Sequence, residues 1–138
     1  MLVDPYQRMN EANASLTIQA SKEGEIHTLI DLLSFYGVEM AGDKIVGDDL
    51  NPSLVRSSSG KAYPFPYWME LGPNNISKDH PASLLLNKLL FADAGHFQIA
   101  AENKAVHSIV YTSTQTAELA KHEIKKHAAE QLAANFVP

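Results

Sequence analysis

The ten residues AYPFPYWMEL, residues 62–71, place two prolines among four aromatic side chains. Proline fixes φ near the extended region, so the segment is predicted to be a stiff, extended stretch of backbone. In such a stretch successive side chains point to opposite sides. The first three aromatic side chains therefore share one side, and Trp68 points elsewhere. We take these aromatic residues as the candidate partner- or ligand-binding residues: Tyr63, Phe65, Tyr67 and Trp68.

Two interpretations of this segment remain open at the level of sequence. A rigid aromatic ridge could bind a partner peptide or an apolar ligand. The same pattern also fits a strand that lies on the core. The core interpretation is favoured, because a chain that is 45% hydrophobic must use its few aromatic residues for packing.

The residues around this stretch, 40–77, are rich in glycine and proline and predict short strands between turns. Extended pieces are predicted at KIV (44–46), SLVR (53–56) and YWMEL (67–71). A structureless loop of this length would be unusual in a compact domain, so some sheet is expected here.

Farther along the chain, HPASLLLNKLLFADAG (80–95) carries an apolar stripe of leucines that predicts a helix over Pro81–Ala94, ended by Gly95. HFQIAAENKAVHSIVYTS (96–113) predicts a β-hairpin with arms at 97–101 and 109–111. A last amphipathic helix is expected from a stripe with helical spacing, formed by Ala117, Ala120, Ile124, Ala128 and Leu132.

Upstream, SLTIQA (15–20) suits a short strand, and apolar spacing predicts a helix from about Glu25 to Tyr36 that ends at Gly37. The predicted fold class is α+β, with a small antiparallel sheet and a C-terminal β-hairpin packed by about three helices. We expect one domain over residues 1–138, in which residues 1–14 form a flexible N-terminal arm.

The composition limits the possible functions. The chain has 138 residues, no cysteine and a formal net charge of −5. Thiol catalysis, disulfides and thiolate zinc sites are excluded, and the acidic balance disfavours binding to nucleic acid. No signal peptide and no apolar run of membrane-spanning length is present, so we expect a cytoplasmic protein without membrane contact.

The stretch KHEIKKH (121–127) approaches the zinc motif H-E-x-x-H but differs in spacing. His122 and His127 are five residues apart and would point about 140° apart on one helix. We therefore expect no metal and no other cofactor, and a charged helix surface with Glu118–His122 and Glu123–His127 contacts.

The remaining histidines offer little catalytic chemistry. His96 and His107 could face each other across the predicted hairpin as a pH-sensitive pair or half a metal site. A small hydrolase built on either histidine is the weakest functional hypothesis, because no acid, base and nucleophile occur at a recognisable spacing.

The second half of the chain resembles the bacterial type III secretion chaperones and the related YbjN-like proteins. The similarity lies in a leucine-rich helix with an internal Asn87, the glycine and aromatic residue Gly95 and Phe97 before a strand, the ENK turn (102–104), and a closing helix. The step Gly37-Val38 after the first predicted helix also matches. The resemblance implies a small acidic α+β homodimer without catalysis that binds another polypeptide.

These observations lead to two functional hypotheses. The first is a non-enzymatic protein-binding module, chaperone-like or regulatory, that acts as a homodimer; the two-sided apolar helix Pro81–Ala94 would need a second copy to cover it. The alternative is a small-ligand-binding domain with an aromatic pocket around residues 63–68.

Overall fold

The computed structural model describes residues 31–40, 42–100, 103 and 105–138, and these form an α+β fold as expected. Three short helices occur in the described residues: α1 (31–35), α2 (Lys121–Lys126) and α3 (Ala129–Ala134). The strands are β1 (Val38–Met40), β2 (Lys44–Asp48), β3 (Pro52–Arg56), β4 (Ala62–Leu71), β5 (Leu89–Ala92), β6 (Phe97–Ile99) and β7 (Thr116–Ala120). A 3-10 turn spans Pro73–Asn75.

The strands pair antiparallel in three small sheets, β1–β6, β2–β7 and β3–β4–β5. The strands predicted at KIV, SLVR and YWMEL are confirmed, since they fall within β2, β3 and β4. None of the described helices is both long enough and apolar enough to cross a membrane.

Strand β4 is the longest strand described and organises the core. The odd-numbered residues from Phe65 to Leu71 are all buried, whereas most even-numbered residues are exposed. Pro64 fits within the strand because it pairs with Leu54 at a position where an N–H would point away from β3. The register between β3 and β4 then shifts between Pro52 and Ser53, opposite the part of β4 that contains Pro66.

Two adjoining apolar clusters form the core. The first contains the buried residues Ile45, Phe65, Tyr67 and Leu132. The second contains Val46, Met69 and Leu71. Neighbouring residues of β2 enter different clusters, so this strand is covered on both faces, which explains its continuous burial from Ile45 to Asp48 rather than an alternation.

Strand β7 replaces the start of the helix that the sequence predicts for the C-terminal region. Ala117 lies opposite Gly47, where a Cβ would come within 2.6 Å of the Phe136 ring. The ladder with β2, which is buried from Ile45 to Asp48, thus outweighs the helical propensity of this alanine-rich segment. The remaining part forms α2 and α3, which are separated by the extended residues His127 and Ala128.

The predicted helix over Pro81–Ala94 is wrong. Residues 81–85 form turns, and the end of the segment is β5, which pairs with β4 and places Phe91 against the core. The Lys78 ammonium donates to the carbonyls of Ser83, Leu84 and Leu86, which a continuous helix would use for its own N–H groups. Leu85 is therefore 90% exposed instead of lying on a packed stripe.

Only part of each predicted hairpin arm forms β-structure, and both arms pair with other segments of the chain. Strand β6 pairs with β1, and Val110 forms an isolated bridge with Ile76. These segments were predicted from local alternation alone, whereas their partners lie far away in the sequence. The C-terminal half still supplies antiparallel strands and helices, in keeping with the α+β class.

The first predicted helix is confirmed where the structure describes it. Residues 31–35 are helical, and Gly37 follows with φ of 66°, the left-handed conformation that ends a helix. The predicted strand at 15–20, the arm at 1–14 and the first part of the helix lie outside the described residues.

Candidate interaction surface

The three-stranded sheet β3–β4–β5 exposes an apolar face, which we call the outer sheet face: Leu54, Pro64, Trp68, Leu90 and Ala92. Cross-strand pairing puts these residues together, because Leu54 lies opposite Pro64 and Trp68 lies opposite Ala92. The exposed fractions are 76% for Leu54, 68% for Leu90 and 37% for Trp68. Contiguous exposed apolar side chains of this kind are typical of binding surfaces.

A shallow groove of about 620 Å³ runs beside this face. One wall comes from the β2–β3 connection and the start of β3, residues 50–54, and the other comes from Glu70 and Leu90. Leu50, which is 64% exposed, extends the apolar surface to the end of the groove. The groove is open and lined by neighbouring strands, so it suits a side chain of an incoming segment better than an enclosed small molecule.

Charged side chains stand at the two ends of the outer sheet face and leave its centre apolar. At one end Lys88 forms an ion pair with Glu70. At the other end Arg56 donates to the carbonyl of Gly60 at 3.3 Å. Both pairs are exposed and contribute little to folding. This arrangement of an apolar centre and a polar rim is common at protein interfaces.

The four candidate residues predicted from sequence divide between the core and this face. Phe65 and Tyr67 are each 5% exposed, and Tyr63 is half-buried against the same cluster. The rings of Phe65 and Tyr67 meet edge to face at 5.8 Å, and burial raises the pKa of the Tyr67 phenol. Trp68 lies on the outer sheet face, with its ring 6.0 Å from that of Phe65.

The four aromatic side chains do not face one way, because Phe65 and Tyr67 are buried in the core and Trp68 is exposed. None of the four aromatic residues lines the groove described above. Tyr67 instead packs against Phe136, with ring centroids 5.4 Å apart. A ligand that contacted all four rings would have to displace this core packing, so the small-ligand alternative gains no support from their positions.

Asp48 holds the connection beside the groove in place. Its side chain is fully buried and each carboxylate oxygen accepts two hydrogen bonds. Oδ1 accepts from Leu50 N at 3.0 Å and Ser113 Oγ at 2.6 Å; Oδ2 accepts from Asn51 Nδ2 at 2.9 Å and Ser113 N at 2.7 Å. Burial raises the pKa of this carboxyl, but the hydrogen bonds together outweigh burial and hold the pKa below its ordinary value.

The histidine expected to face His107 has a different partner. His96 Nε2 lies 3.1 Å from Glu118 Oε1, and Lys44 Nζ lies 2.5 Å from the other oxygen of the same carboxylate. The hydrogen bond from Lys44, and its charge, lower the pKa of Glu118. The pairing that could bring His96 opposite His107 is replaced, because β6 pairs with β1 and not with the second predicted arm.

The segment KHEIKKH has a local geometry that the sequence does not predict. Helix α2 begins at Lys121, so Glu118 lies on β7 and cannot contact His122 through a helical turn; this expected contact is wrong. The expected Glu123–His127 contact is confirmed at 3.0 Å, and His122 lies 2.6 Å from the same carboxylate. The two imidazoles contact different oxygens of the Glu123 carboxylate, Oε1 for His122 and Oε2 for His127.

No group of three or more histidine, aspartate and glutamate side chains in the described part of the chain is arranged to share a metal ion. That the protein carries no metal therefore stays a prediction. The outer sheet face offers two kinds of interaction, which are burial of apolar side chains and backbone pairing at the strand edges.

Sequence reasoning missed two main residues of the outer sheet face. The helical spacing predicts a helix at Leu90, and the exposed position of Leu90 on a strand follows only from the pairing of β5 with β4. Leu54 lay in a predicted strand, but SLVR has apolar residues at adjacent positions and does not reveal which one faces the core. Only the pairing of Leu54 with the exposed Pro64 settles its direction.

Comparison with known proteins gives a family match over nearly the whole chain. The model of a family of ABC transport auxiliary proteins, described as "ABC-type uncharacterized transport system", matches residues 1–137. No curated protein and no solved structure matches the chain. The match overturns the resemblance to type III secretion chaperones and YbjN-like proteins, and the leucine-rich helix that this resemblance includes is also not formed. The chain therefore belongs to the family described as an ABC-type uncharacterized transport system.

Proposed function

We propose that this protein is a non-enzymatic auxiliary component of an ABC-type transport system, which binds another polypeptide of that system on the outer sheet face. The observation that carries the proposal is the exposure of Leu54, Leu90 and Trp68 on one sheet face with charged residues only at its ends. Family membership supplies the transport context. The role is chaperone-like or regulatory, and the protein acts in the cytoplasm as a homodimer.

Several physical features support binding through this face. Its side chains are carried by three paired strands, so little backbone order has to be gained on association. Trp68 is the type of residue that most often dominates binding energy. Phe65 lies behind it, with its ring 6.0 Å away, which restricts the orientation of the indole before a partner arrives.

A second copy can no longer be inferred from the two-sided apolar helix that the sequence predicts over Pro81–Ala94. The apolar helix that would have needed cover is absent, and its leucines lie in turns or on β5. The support now comes from the exposed strand β5 and from the apolar surface beside it.

A comparison of two exposed leucines tests the proposal. Leu54→Asp places a charge on the outer sheet face, whereas Leu85→Asp makes the same change at a position that is 90% exposed in the turn at residues 81–85. Each protein is used to capture polypeptides from the source cells, which are identified by mass spectrometry. The binding of the captured transport-system component is then measured with purified proteins.

We expect the unchanged protein to capture a component of an ABC-type transport system. Leu54→Asp should weaken that binding by at least about tenfold, since a charge would be desolvated in the interface. Leu85→Asp should bind as the unchanged protein does. Capture of no transport-system polypeptide, or equal binding by both variants, would refute the proposal.

A further inference from the structure

Strand β5 is an edge strand of its sheet in the described part of the chain. The N–H of Asp93 donates to the carbonyl of Tyr67 at 3.0 Å, which makes these opposite residues a hydrogen-bonded pair. Hydrogen-bonded pairs alternate along an antiparallel ladder, so Leu89 and Phe91 also direct their backbone groups to β4. Leu90 and Ala92 consequently direct their N–H and C=O groups away from the sheet.

The opposite edge of the same sheet is less suited to pairing. Strand β3 begins with Pro52, which lacks an N–H, and ends with the charged Arg56. Proline and charge are two features by which natural sheets keep their edges from pairing. Strand β5, with the sequence LLFA, has neither, and its outward-facing residue Leu90 is 68% exposed.

We propose that β5 pairs antiparallel with β5 of a second copy, about a two-fold axis at Phe91. Leu90 then lies opposite Ala92 of the other copy, and each of these two symmetry-related pairs exchanges two backbone hydrogen bonds. The sheet β3–β4–β5 continues across the axis, and the outer sheet faces of both copies join. This inference rests on the homodimer included in the proposed function and specifies how it forms.

A second copy fits this edge because the strand is complementary to itself. The large side chain of Leu90 meets the small side chain of Ala92, so neither crowds the other across the axis. Lys88 and Asp93 are the charged residues that flank β5, and pairing about Phe91 brings neither of them opposite a like charge. Strand β2 adjoins the end of β5, where the N–H of Val46 donates to the carbonyl of Ala94 at 2.9 Å, so the pairing is confined to Leu90–Ala92. The pairing thus brings no like charges together and leaves none of the four outward backbone groups of Leu90 and Ala92 unpaired.

Two edge variants and one control test the inference. Ala92→Pro removes an N–H that points away from β4, so it blocks the intermolecular ladder and spares the internal one. Leu90→Lys places a charge on the edge, opposite Glu70 of its own chain. Leu54→Lys introduces the same charge on β3, at the other edge. Mass by light scattering and dissociation constants by sedimentation are measured at up to about 100 µM protein, with circular dichroism as a check of folding.

We expect the unchanged protein to show twice the chain mass of 15.1 kDa. Each edge variant should weaken the dimer by at least about tenfold, because two hydrogen bonds or a well-packed apolar contact are lost at each dimer interface. Leu54→Lys should not change the dimer. If Ala92→Pro fails to fold, the dissociation constant of Leu90→Lys alone decides whether the dimer forms through β5.

A monomeric unchanged protein would overturn both this inference and the homodimer, while partner binding by the outer sheet face would stand on its own test. A dimer that neither edge variant weakens, or that Leu54→Lys weakens equally, would overturn the β5 edge alone. Loss of partner capture by Leu54→Asp together with an intact dimer would leave the inference in place.

Discussion

Replacement of Asp48 by asparagine should destabilise the fold strongly although it changes only one atom. The two carboxylate oxygens accept four hydrogen bonds, two of them from the backbone N–H groups of Leu50 and Ser113. Those two backbone donors bind different oxygens. In asparagine an NH₂ group replaces one of the two oxygens. At either position this NH₂ group faces a backbone N–H, which is a donor and cannot accept a hydrogen bond.

The magnitude follows from this donor–donor conflict. The hydroxyl of Ser113 and the amide of Asn51 can rotate to accept, so they lose less than the backbone donors do. One hydrogen bond to a charged acceptor is worth about 1.5–3 kcal/mol, and a buried donor left without a partner costs about 1–3 kcal/mol. These terms overlap, and we expect Asp48→Asn to lower the free energy of unfolding by about 2–4 kcal/mol.

Asp49→Asn is the matched control, because it removes the same charge at the adjacent, exposed position. Urea unfolding followed by circular dichroism gives both free energies, and the control should differ from the unchanged protein by less than about 0.5 kcal/mol. Equal stability of the two variants would refute the assignment of Asp48 as a buried hydrogen-bonded anchor.

The effect of pH has a defined sign. The pKa of Asp48 is lowered in the folded state, so its ionised form stabilises the fold. The contribution is complete above the unfolded pKa of about 3.9 and is lost as pH falls through the lower folded pKa. The stability gap between the unchanged protein and Asp48→Asn should therefore narrow below about pH 4. A gap that widened on acidification would contradict the proposed ionisation.

Three further predictions concern the core, a close backbone contact and metal content. Phe65→Ala should cost about 3–5 kcal/mol of unfolding free energy, and Trp68→Ala should cost less because no enclosed cavity forms on the exposed face; thermal melts in the reverse order would refute this orientation. Gly47→Ala should lower the free energy of unfolding by about 1–3 kcal/mol, since its Cβ would lie 2.6 Å from Phe136. Gly42→Ala is the control, because nothing lies within 4 Å of its Cβ, and it should change the free energy of unfolding by less than about 0.5 kcal/mol in the same urea assay. Elemental analysis of untagged protein should find substoichiometric zinc, and stoichiometric zinc would contradict the expected absence of a metal.

The sequence predicts the strands of residues 40–77 more accurately than it predicts the helices of the second half of the chain. KIV, SLVR and YWMEL carry β-branched or aromatic residues between clear turn residues, and these local features agree with the tertiary pairing. The segment SLLLNKLLFADA has helical spacing, but its second part pairs with β4 and buries Phe91. Local periodicity cannot reveal that β4 has an edge that needs this partner.

The candidate site shows the same limit. Proline and aromatic spacing correctly predict that Phe65 and Tyr67 share a side and that Trp68 points elsewhere. The apolar residues beside Trp68 come from β3 and β5, which are brought together only by the register of the sheet. The contact of His96 with Glu118 likewise depends on the pairing of β2 with β7, which local sequence does not encode.

Strand β4 links the core to the proposed binding surface, and this link affects how binding data must be interpreted. Up to Phe65, the odd-numbered residues of β4 bond to β3; beyond Pro66, Tyr67 instead bonds toward the β5 side. The alternation of side chains along the strand still places Phe65 and Tyr67 in the core, while Trp68 stands on the outer sheet face with its ring 6.0 Å from that of Phe65. Phe65→Ala would therefore free the indole and weaken binding without any contact between Phe65 and the partner. A direct contact is shown by Trp68→Ala only if affinity falls by more than stability does, because a fold that merely loosens loses both together.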